Sequence, residues 1–472
     1  MHLGKKTKIV ATIGPATESE EQLARMLKAG MNVMRMNFSH GDFAEHQNKL
    51  DNLRKAMKKT GIPAAIMQDL SGPKFRIGEF YQERVQLKAG DFITLTPEKI
   101  VGDEKKVSIN YPTLHLELKP GNMIMVDDGK KKFEVVEVKG KEIKCKIIVG
   151  GDTKGRRGVN LPGAYLKVSS LTAKDKADVV FGIKNKVDIV AFSFVRRPED
   201  VIELRAILDK AKSKALIMSK IETEEAVENI DEIIRLSDSI MVARGDLAVE
   251  IGAENVPVIQ KMIIKKCNEA GKPVVTATQM LESMISSPVP TRAEVSDIAN
   301  AILDGTDAIM LSEETTLGKF PLEAVEVMTR VALRVENDHL HRQLLVNGHD
   351  SHVGTGPSIC SSAVKTADRV DAKFIVALTE YGYGARMAAR HRGHKAILVM
   401  TPNQTTYQQA NLVFGCFPIM IEKFKSFDDA IKTIKPHLIK EKLVKKGDKV
   451  VVVSGIPFGK THESNVMMVE TF

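Results

Sequence analysis

Two short stretches hold the residues best suited to chemistry on a phosphate. Met218-Ser219-Lys220-Ile221-Glu222 closes an apolar run with an ammonium and a carboxylate, and Met241-Val242-Ala243-Arg244-Gly245-Asp246 closes another with a guanidinium, a glycine and a carboxylate. Runs of this length read as β-strands that cross a core and stop at a surface. Two carboxylates at neighbouring strand ends can share a hard divalent cation, and a lysine beside them can meet the phosphate which that cation carries. A surface ion-pair network would use the same charges, so the surrounding elements have to decide between the two readings.

Further reactive groups stand at other strand ends. Arg35-Met36-Asn37-Phe38-Ser39-His40-Gly41 crowds an arginine, an amide, a hydroxyl and an imidazole together. A turn explains the asparagine, serine and glycine but needs neither the arginine nor the histidine. Asp69-Leu70-Ser71-Gly72-Pro73-Lys74-Phe75-Arg76 sets two cations after a carboxylate, and Thr278 ends a third run. Ser312-Glu313-Glu314-Thr315 reads as a helix cap and no more.

These groups share a frame. Candidate strands are Lys8–Ile13, Asn32–Asn37, Ala64–Asp69, Asp188–Phe194, Ala215–Ile221, Ser239–Ala243, Pro273–Ala277 and Ala308–Leu311, eight in all. Amphipathic helical segments separate most of them: Glu18–Ala29 after a cap at Thr17, a segment opened by Pro198, and one from Thr291 with Glu294 at the capping-box spacing. Eight βα units in series predict a (β/α)8 barrel, whose reactive groups sit at the C-terminal ends of its strands. The charged endings above fall there.

The interval from Asp69 to Asp188 is too long for one crossover. Its alternating runs (Val107–Ile109, Met123–Val126, Phe133–Val138, Ile143–Val149) and its turns predict a small β-barrel inserted after the third strand. Gly72-Pro73 and Leu161-Pro162-Gly163 mark the hinges. A polar stretch around Asn347-Gly348-His349-Asp350 reads as a linker to a C-terminal open α/β domain with strands near 374–378, 396–400, 418–421, 449–454 and 466–469. The expected domains are therefore 1–70 with 167–340, an inserted lid at 71–166, and 341–472.

The composition fits a large globular chain: 472 residues, 43% hydrophobic and 27% charged, enough for several domains. The net charge of +9 is spread along the chain, with few aromatics and no basic block, which suits small polyanions better than nucleic acid. The four cysteines lie far apart without metal or redox spacing, as in a reducing compartment. Lys5, Lys6 and Lys8 precede only one short strand, and no apolar run reaches the ~20 residues of a membrane span. A cytoplasmic chain without a signal peptide is expected.

The runs RMNFSHG at 35–41, GVNLPG at 158–163, SKIE at 219–222, ARGDL at 243–247, ATQMLESM at 277–284 and PTRAEVSDIANAILDGTDAIMLS at 290–312 together resemble pyruvate kinase. The resemblance covers essentially the whole chain in the right order. It implies transfer of the phosphoryl group of phosphoenolpyruvate to ADP, giving pyruvate and ATP. By resemblance, Glu222 and Asp246 hold Mg²⁺ or Mn²⁺, Lys220 stabilises the transferring group, and Arg35 and Arg76 meet phosphate oxygens. The amides of Ala243, Gly245 and Asp246, with Thr278, cradle the substrate carboxylate, and Thr278 also lies near the methylene carbon. Asn37, His40 and Arg157 face the nucleotide, and Asp128 swings in when the lid closes. A homotetramer is implied. Thr223 and Glu313 depart from the family's common asparagine and glycine.

Two departures bear on ions and effectors. Most relatives read Asp-Thr-Lys-Gly-Pro-Glu-Ile-Arg where this chain has residues 69–76, and bind K⁺ through groups matching Asn37, Ser39, Asp69 and the carbonyl of Leu70. Here Lys74 replaces the glutamate, so an internal ammonium is expected to stand in for the ion and no K⁺ requirement is expected. The loop Leu378–Arg386 holds Thr379 and Glu380 where effector-activated relatives present hydroxyls to a sugar phosphate, and a later loop keeps Lys460, Thr461 and Ser464. Weak or absent activation by fructose 1,6-bisphosphate is expected. A barrel aldolase or lyase acting on a pyruvate enolate is the alternative enzyme, but it needs neither the lid nor Lys220. A binding protein without catalysis would have no reason to keep Lys220, Glu222 and Asp246 together.

Overall fold

The computed structural model describes residues 4–338, 354–424, 426–458 and 463–472. Eight parallel strands close into a barrel: Lys8–Thr12, Val33–Asn37, Ala65–Asp69, Ile189–Phe192, Leu216–Ile221, Ser239–Ala243, Val274–Ala277 and Ala308–Leu311. The ring is completed where Lys8 pairs with Ala308 and Ala11 with Leu311. Strands buried on both faces read as continuous apolar runs, because helices cover the outside and side chains fill the inside. Val10, Met67, Met218, Met241, Val275 and Met310 pack within the ring, and a larger cluster lies between strands and helices.

Helix starts fix where the loops leave the barrel. Thr291 and Glu294 form the expected capping box. The first helix differs from expectation: it runs Glu20–Ala29 and is capped by Ser19, whose oxygen accepts from the Gln22 amide. Thr17 instead donates its hydroxyl to the Thr315 carbonyl (2.7 Å), tying the first loop to the last. A second capping box, Thr172 with Asp175, has a further function. The free oxygen of Asp175 accepts from the Ser71 and Gly72 amides at 3.0 and 3.2 Å, so the start of this helix anchors the chain where it enters the lid. Gly72 has φ +65°, and a Cβ there would come within 2.8 Å of the Phe194 ring, so no larger residue fits this hinge.

Residues 84–160 carry a six-stranded and a two-stranded sheet around one core that includes Ile77, Leu95, Ile124, Phe133 and Ile147. Isolated bridges such as Ile77 with Ile109 join the edges, and the described helical content between the lid strands is a single 3-10 turn, Leu114–Leu116. The strands Arg84–Leu87, Phe92–Thr96, Gly151–Lys154 and Val159–Asn160 add to those expected.

The C-terminal part holds a five-stranded sheet in the order Cys416–Met420, Ile397–Thr401, Ile375–Leu378, Lys449–Ser454, Val466–Thr471, with only the last strand antiparallel. The stretch expected as a linker lies outside the described residues. The joint to the barrel floor is polar and buried. Arg392, 2% exposed, holds the Asp307 carboxylate at 2.7 Å and the Gly305 carbonyl at 2.6 Å. Beside it, Lys8 donates to the Cys416 carbonyl, and burial pushes its ammonium down to about 8. All four cysteines are reduced and buried. Among the described residues, no helix is long and apolar enough to cross a membrane.

Candidate active site

Parallel register brings the charged endings together. Lys220 lies opposite Met241 and Ile221 opposite Val242, so the two runs finish side by side at the mouth of the barrel. The Lys220 ammonium then meets three acceptors: Ser193 Oγ at 2.6 Å, Glu222 Oε1 at 2.9 Å and Asp69 Oδ1 at 3.3 Å. Arg35 closes the other side of Asp69, with Nε 2.6 Å from Oδ2, and donates through Nη1 to Thr12 Oγ1 at 2.8 Å. Groups from the first five barrel strands and the residues that follow them thus form one buried network.

The electrostatics follow from burial and pairing. Burial works against ionising Asp69, but Arg35 and Lys220 outweigh it and hold the carboxyl below its ordinary range. Burial likewise opposes charge on Lys220, while Asp69 and Glu222 keep its ammonium above the usual value. Glu222 is pushed up, first by burial and further by the nearby Asp246, against the pull of Lys220 and of a hydrogen bond from the Phe194 amide at 2.7 Å. Two carboxylates that repel each other, one of them buried, favour a cation between them.

Asp246 stands in the first turn of helix Arg244–Ile251. Arg244 fixes that turn, donating to the carbonyls of Ala277 (3.1 Å) and Thr278 (2.7 Å) and pairing with Asp297 (2.6 Å). The Gly245 amide donates to Thr278 Oγ1 at 2.8 Å, which donates in turn to the Ala277 carbonyl at 2.6 Å. Thr278 has φ +72° and Gln279 +55°. A β-branched residue in that region is strained by about 1–3 kcal/mol, a cost met where a side chain must point into a site.

Two clefts flank this centre. Arg35, Asn37 and His40 line one, together with Pro15, Lys49 and Glu313. Asn37 turns its side-chain oxygen to the Ser39 amide at 3.1 Å, and the Leu70 carbonyl accepts from Ser193 at 2.7 Å. The other cleft lies under the lid, where Lys74 and Asp128 face Gly245, Asp246 and Thr278. Lys74 is exposed there. Arg76 and Arg157 stand on the lid outside the hydrogen-bonded network around Lys220. The Arg76 amide donates to Asn110 Oδ1 (2.7 Å), and Arg157 Nε lies 3.5 Å from Asp127.

Ser193, Thr12 and Lys49 also line this site or its clefts, without a sequence signal of their own. Ser193 follows the fourth strand directly and was hidden inside an apolar run; the arginines at 196 and 197 were its only nearby polar signal. Thr223, in contrast, explains itself as the cap of helix Glu224–Glu228, accepting from the Ala226 amide. Among the described residues, no group of three or more His, Cys, Asp or Glu could hold a metal ion. Glu222 and Asp246 can together offer a hard cation two carboxylates.

Family models match the chain over both regions: the pyruvate kinase barrel domain at residues 4–325 and the pyruvate kinase alpha/beta domain at residues 357–470. The chain belongs to the pyruvate kinase family. A pyruvate kinase of Clostridium perfringens is 44% identical over 471 residues, 99% of each chain. That of Geobacillus stearothermophilus is 43% identical over 98% of this chain and 80% of its own. The crystal structure of a pyruvate kinase from Cryptosporidium parvum superposes with a TM-score of 0.92 at 36% identity, covering 99% of this chain and 96% of the other. The chain is thus an enzyme of pyruvate kinase type, and the barrel match encloses the lid and the whole Lys220 network.

Proposed function

We propose that this pyruvate kinase transfers the phosphoryl group of phosphoenolpyruvate to ADP at the mouth of the barrel, with Lys220 between donor and acceptor. The observation that carries the reading is the Lys220 ammonium held among Asp69, Ser193 and Glu222, one strand from Asp246. A coupled assay for ATP formed from phosphoenolpyruvate and ADP tests it; absence of ATP with Mg²⁺ or Mn²⁺ present refutes it.

The chemistry asks for positioning and charge neutralisation more than for covalent help. Glu222 and Asp246 would hold a divalent cation, Mg²⁺ or Mn²⁺, which would supply Lewis-acid charge to the reaction. Lys220 contributes a positive charge at the transferring group. Arg35, kept rigid by Asp69 and Thr12, presents its remaining guanidinium hydrogens to phosphate oxygens, and Arg76 joins it from the lid. The first turn of helix Arg244–Ile251 offers the amide of Asp246, and that of Gly245 once it is released from Thr278 Oγ1, as an anion site for the substrate carboxylate. Thr278 also stands by the methylene carbon that becomes the methyl of pyruvate. The cleft with Asn37, His40 and Lys49 receives the nucleotide, and Arg157 and Asp128 reach it as the lid closes and excludes water.

Asp69, Asn37 and the Leu70 carbonyl, three of the four groups matching a monovalent-cation position (the fourth is Ser39), each have a protein partner already. That supports a reaction independent of K⁺, with Lys74 supplying the charge. Location in the cytoplasm, where glycolysis ends with this reaction, is part of the same reading.

Among the described residues that line the C-terminal cleft, Thr379, Glu380, Lys423, Glu463 and Ser464 bring two carboxylates and one lysine. Glu380 lies 3.7 Å from Lys423 and partly cancels it; Lys460 and Thr461 lie outside the described residues. A bisphosphate is poorly served by such walls. Fructose 1,6-bisphosphate is expected to change half-saturation by phosphoenolpyruvate less than about twofold, about 0.4 kcal/mol of coupling. A strong leftward shift would overturn this. Assembly as a homotetramer through barrel and C-terminal domains is expected in sedimentation; a stable monomer at working concentration would refute it.

A further inference from the structure

We propose that Ser193 is the positioning residue for the Lys220 ammonium, an inference that rests on the role given to Lys220 above. An ammonium has three protons to donate, and all three have acceptors here. Two of these acceptors are carboxylates with other duties: Asp69 is shared with Arg35, and Glu222 belongs to the divalent-cation set. Ser193 gives the shortest of the three contacts, 2.6 Å, and is neutral.

The hydroxyl is committed in a single direction. Ser193 is 2% exposed, and its proton goes to the Leu70 carbonyl at 2.7 Å, with Asp69 Oδ1 farther away at 3.3 Å. Donation to Leu70 leaves the oxygen lone pairs for Lys220. The backbone is fixed on both sides. Phe192, just before, is in register with Ser219. Phe194, just after, has φ +55°, donates its amide to Glu222 Oε2 at 2.7 Å and accepts from Ser170 Oγ at 2.7 Å. The acceptor that faces Lys220 is therefore anchored to the barrel and to the metal-binding carboxylate together.

For Lys220 to reach a phosphoryl oxygen, one of its protons has to leave a carboxylate. The contact to Ser193 involves no opposite charge and is the one that persists through this exchange, holding Nζ in place. Misplacing a catalytic group by about 1 Å costs on the order of a hundredfold in rate.

The test uses the full chain with saturating divalent cation and two variants, Ser193→Ala and Ser193→Cys. The cysteine keeps the shape of the buried site, but its sulfur is a weak acceptor, so it decides the matter if the alanine variant fails to fold. Both are expected to lose roughly ten- to a hundredfold in kcat, with KM for phosphoenolpyruvate and ADP, and the affinity for Mn²⁺, changed less than about threefold. A serine that only supports the fold would lower thermal stability and leave kcat per folded active site unchanged; that result overturns the proposal. So does a raised KM at unaltered kcat. A wild type that forms no ATP overturns the kinase reading and this inference with it, whereas a wild type that turns over no faster than the cysteine variant overturns this inference alone.

Discussion

Lys220→Met is expected to bind Mn²⁺ and phosphoenolpyruvate about as the wild type does and to lose at least about a thousandfold in kcat, the scale on which a single cation acts in phosphoryl transfer. Methionine keeps the length and apolar stem of lysine, so the packing at the barrel mouth survives. The ammonium does not. The side chain is 11% exposed and its charge is surrounded by Asp69, Glu222 and Ser193, so no solvent cation can take its place freely. Asp69 keeps Arg35 as a partner, and Glu222 keeps the Phe194 amide and would be freed toward the divalent cation proposed for it and Asp246. Metal binding should therefore hold or tighten while turnover falls. Calorimetric titration of Mn²⁺ alongside single-turnover kinetics separates the two quantities. Turnover unchanged in the variant would remove Lys220 from the mechanism, and metal binding lost in parallel would make it a structural partner of Glu222 instead.

How far the sequence could go is visible in the same residues. The barrel was legible because each strand is buried on both faces, so Leu216–Ile221 and Ser239–Ala243 read as apolar runs that end where the chain meets solvent. Lys220, Glu222 and Asp246 were legible because charge at the end of such a run is unusual. Ser193 was not, since a serine after an apolar run has many ordinary explanations and its value comes only from cross-strand contact with Lys220 and Leu70. The positive φ of Phe194 and Thr278 could not be read either, because these side chains normally avoid that region and only their surroundings impose it. Thr17 and Ser19 show a smaller version of the same limit. Both can cap a helix, and the choice was made by the Thr315 carbonyl, nearly three hundred residues away in sequence, which takes the Thr17 hydroxyl at 2.7 Å (sequence separation 298). The joint between Arg392 and Asp307 was likewise invisible, since it pairs charges from two domains.

Turnover of the wild type is expected to change less than about twofold when K⁺ is added to a buffer free of K⁺, Na⁺ and NH₄⁺, whereas Lys74→Glu should lose on the order of a hundredfold without K⁺ and recover with it. A monovalent cation in this family's site would need oxygens from Asp69, Asn37, Ser39 and Leu70. Both Asp69 oxygens are engaged, by Arg35 at 2.6 Å and Lys220 at 3.3 Å. The Asn37 oxygen accepts from Ser39, and the Leu70 carbonyl accepts from Ser193. An added cation has to share these oxygens with the donors already bound to them. Lys74 stands on the lid hinge, exposed in the cleft that also holds Asp128 and Asp246. Closure of the lid would carry its ammonium toward the polyanionic substrate, where it would take the place of the ion, and K⁺ beside it would meet repulsion of about 4 kcal/mol at ~4 Å with an effective dielectric near 20. Glutamate at 74 reverses the sign: the site then lacks one positive charge and attracts a monovalent cation. Tetramethylammonium salts keep ionic strength constant without offering an ion of suitable size, so the comparison reads the site and not general screening. Strong stimulation of the wild type by K⁺ would dispose of the idea, and so would a Lys74→Glu enzyme equally active with and without it. A K⁺ requirement confined to the variant would show that one side chain on the hinge replaces an ion.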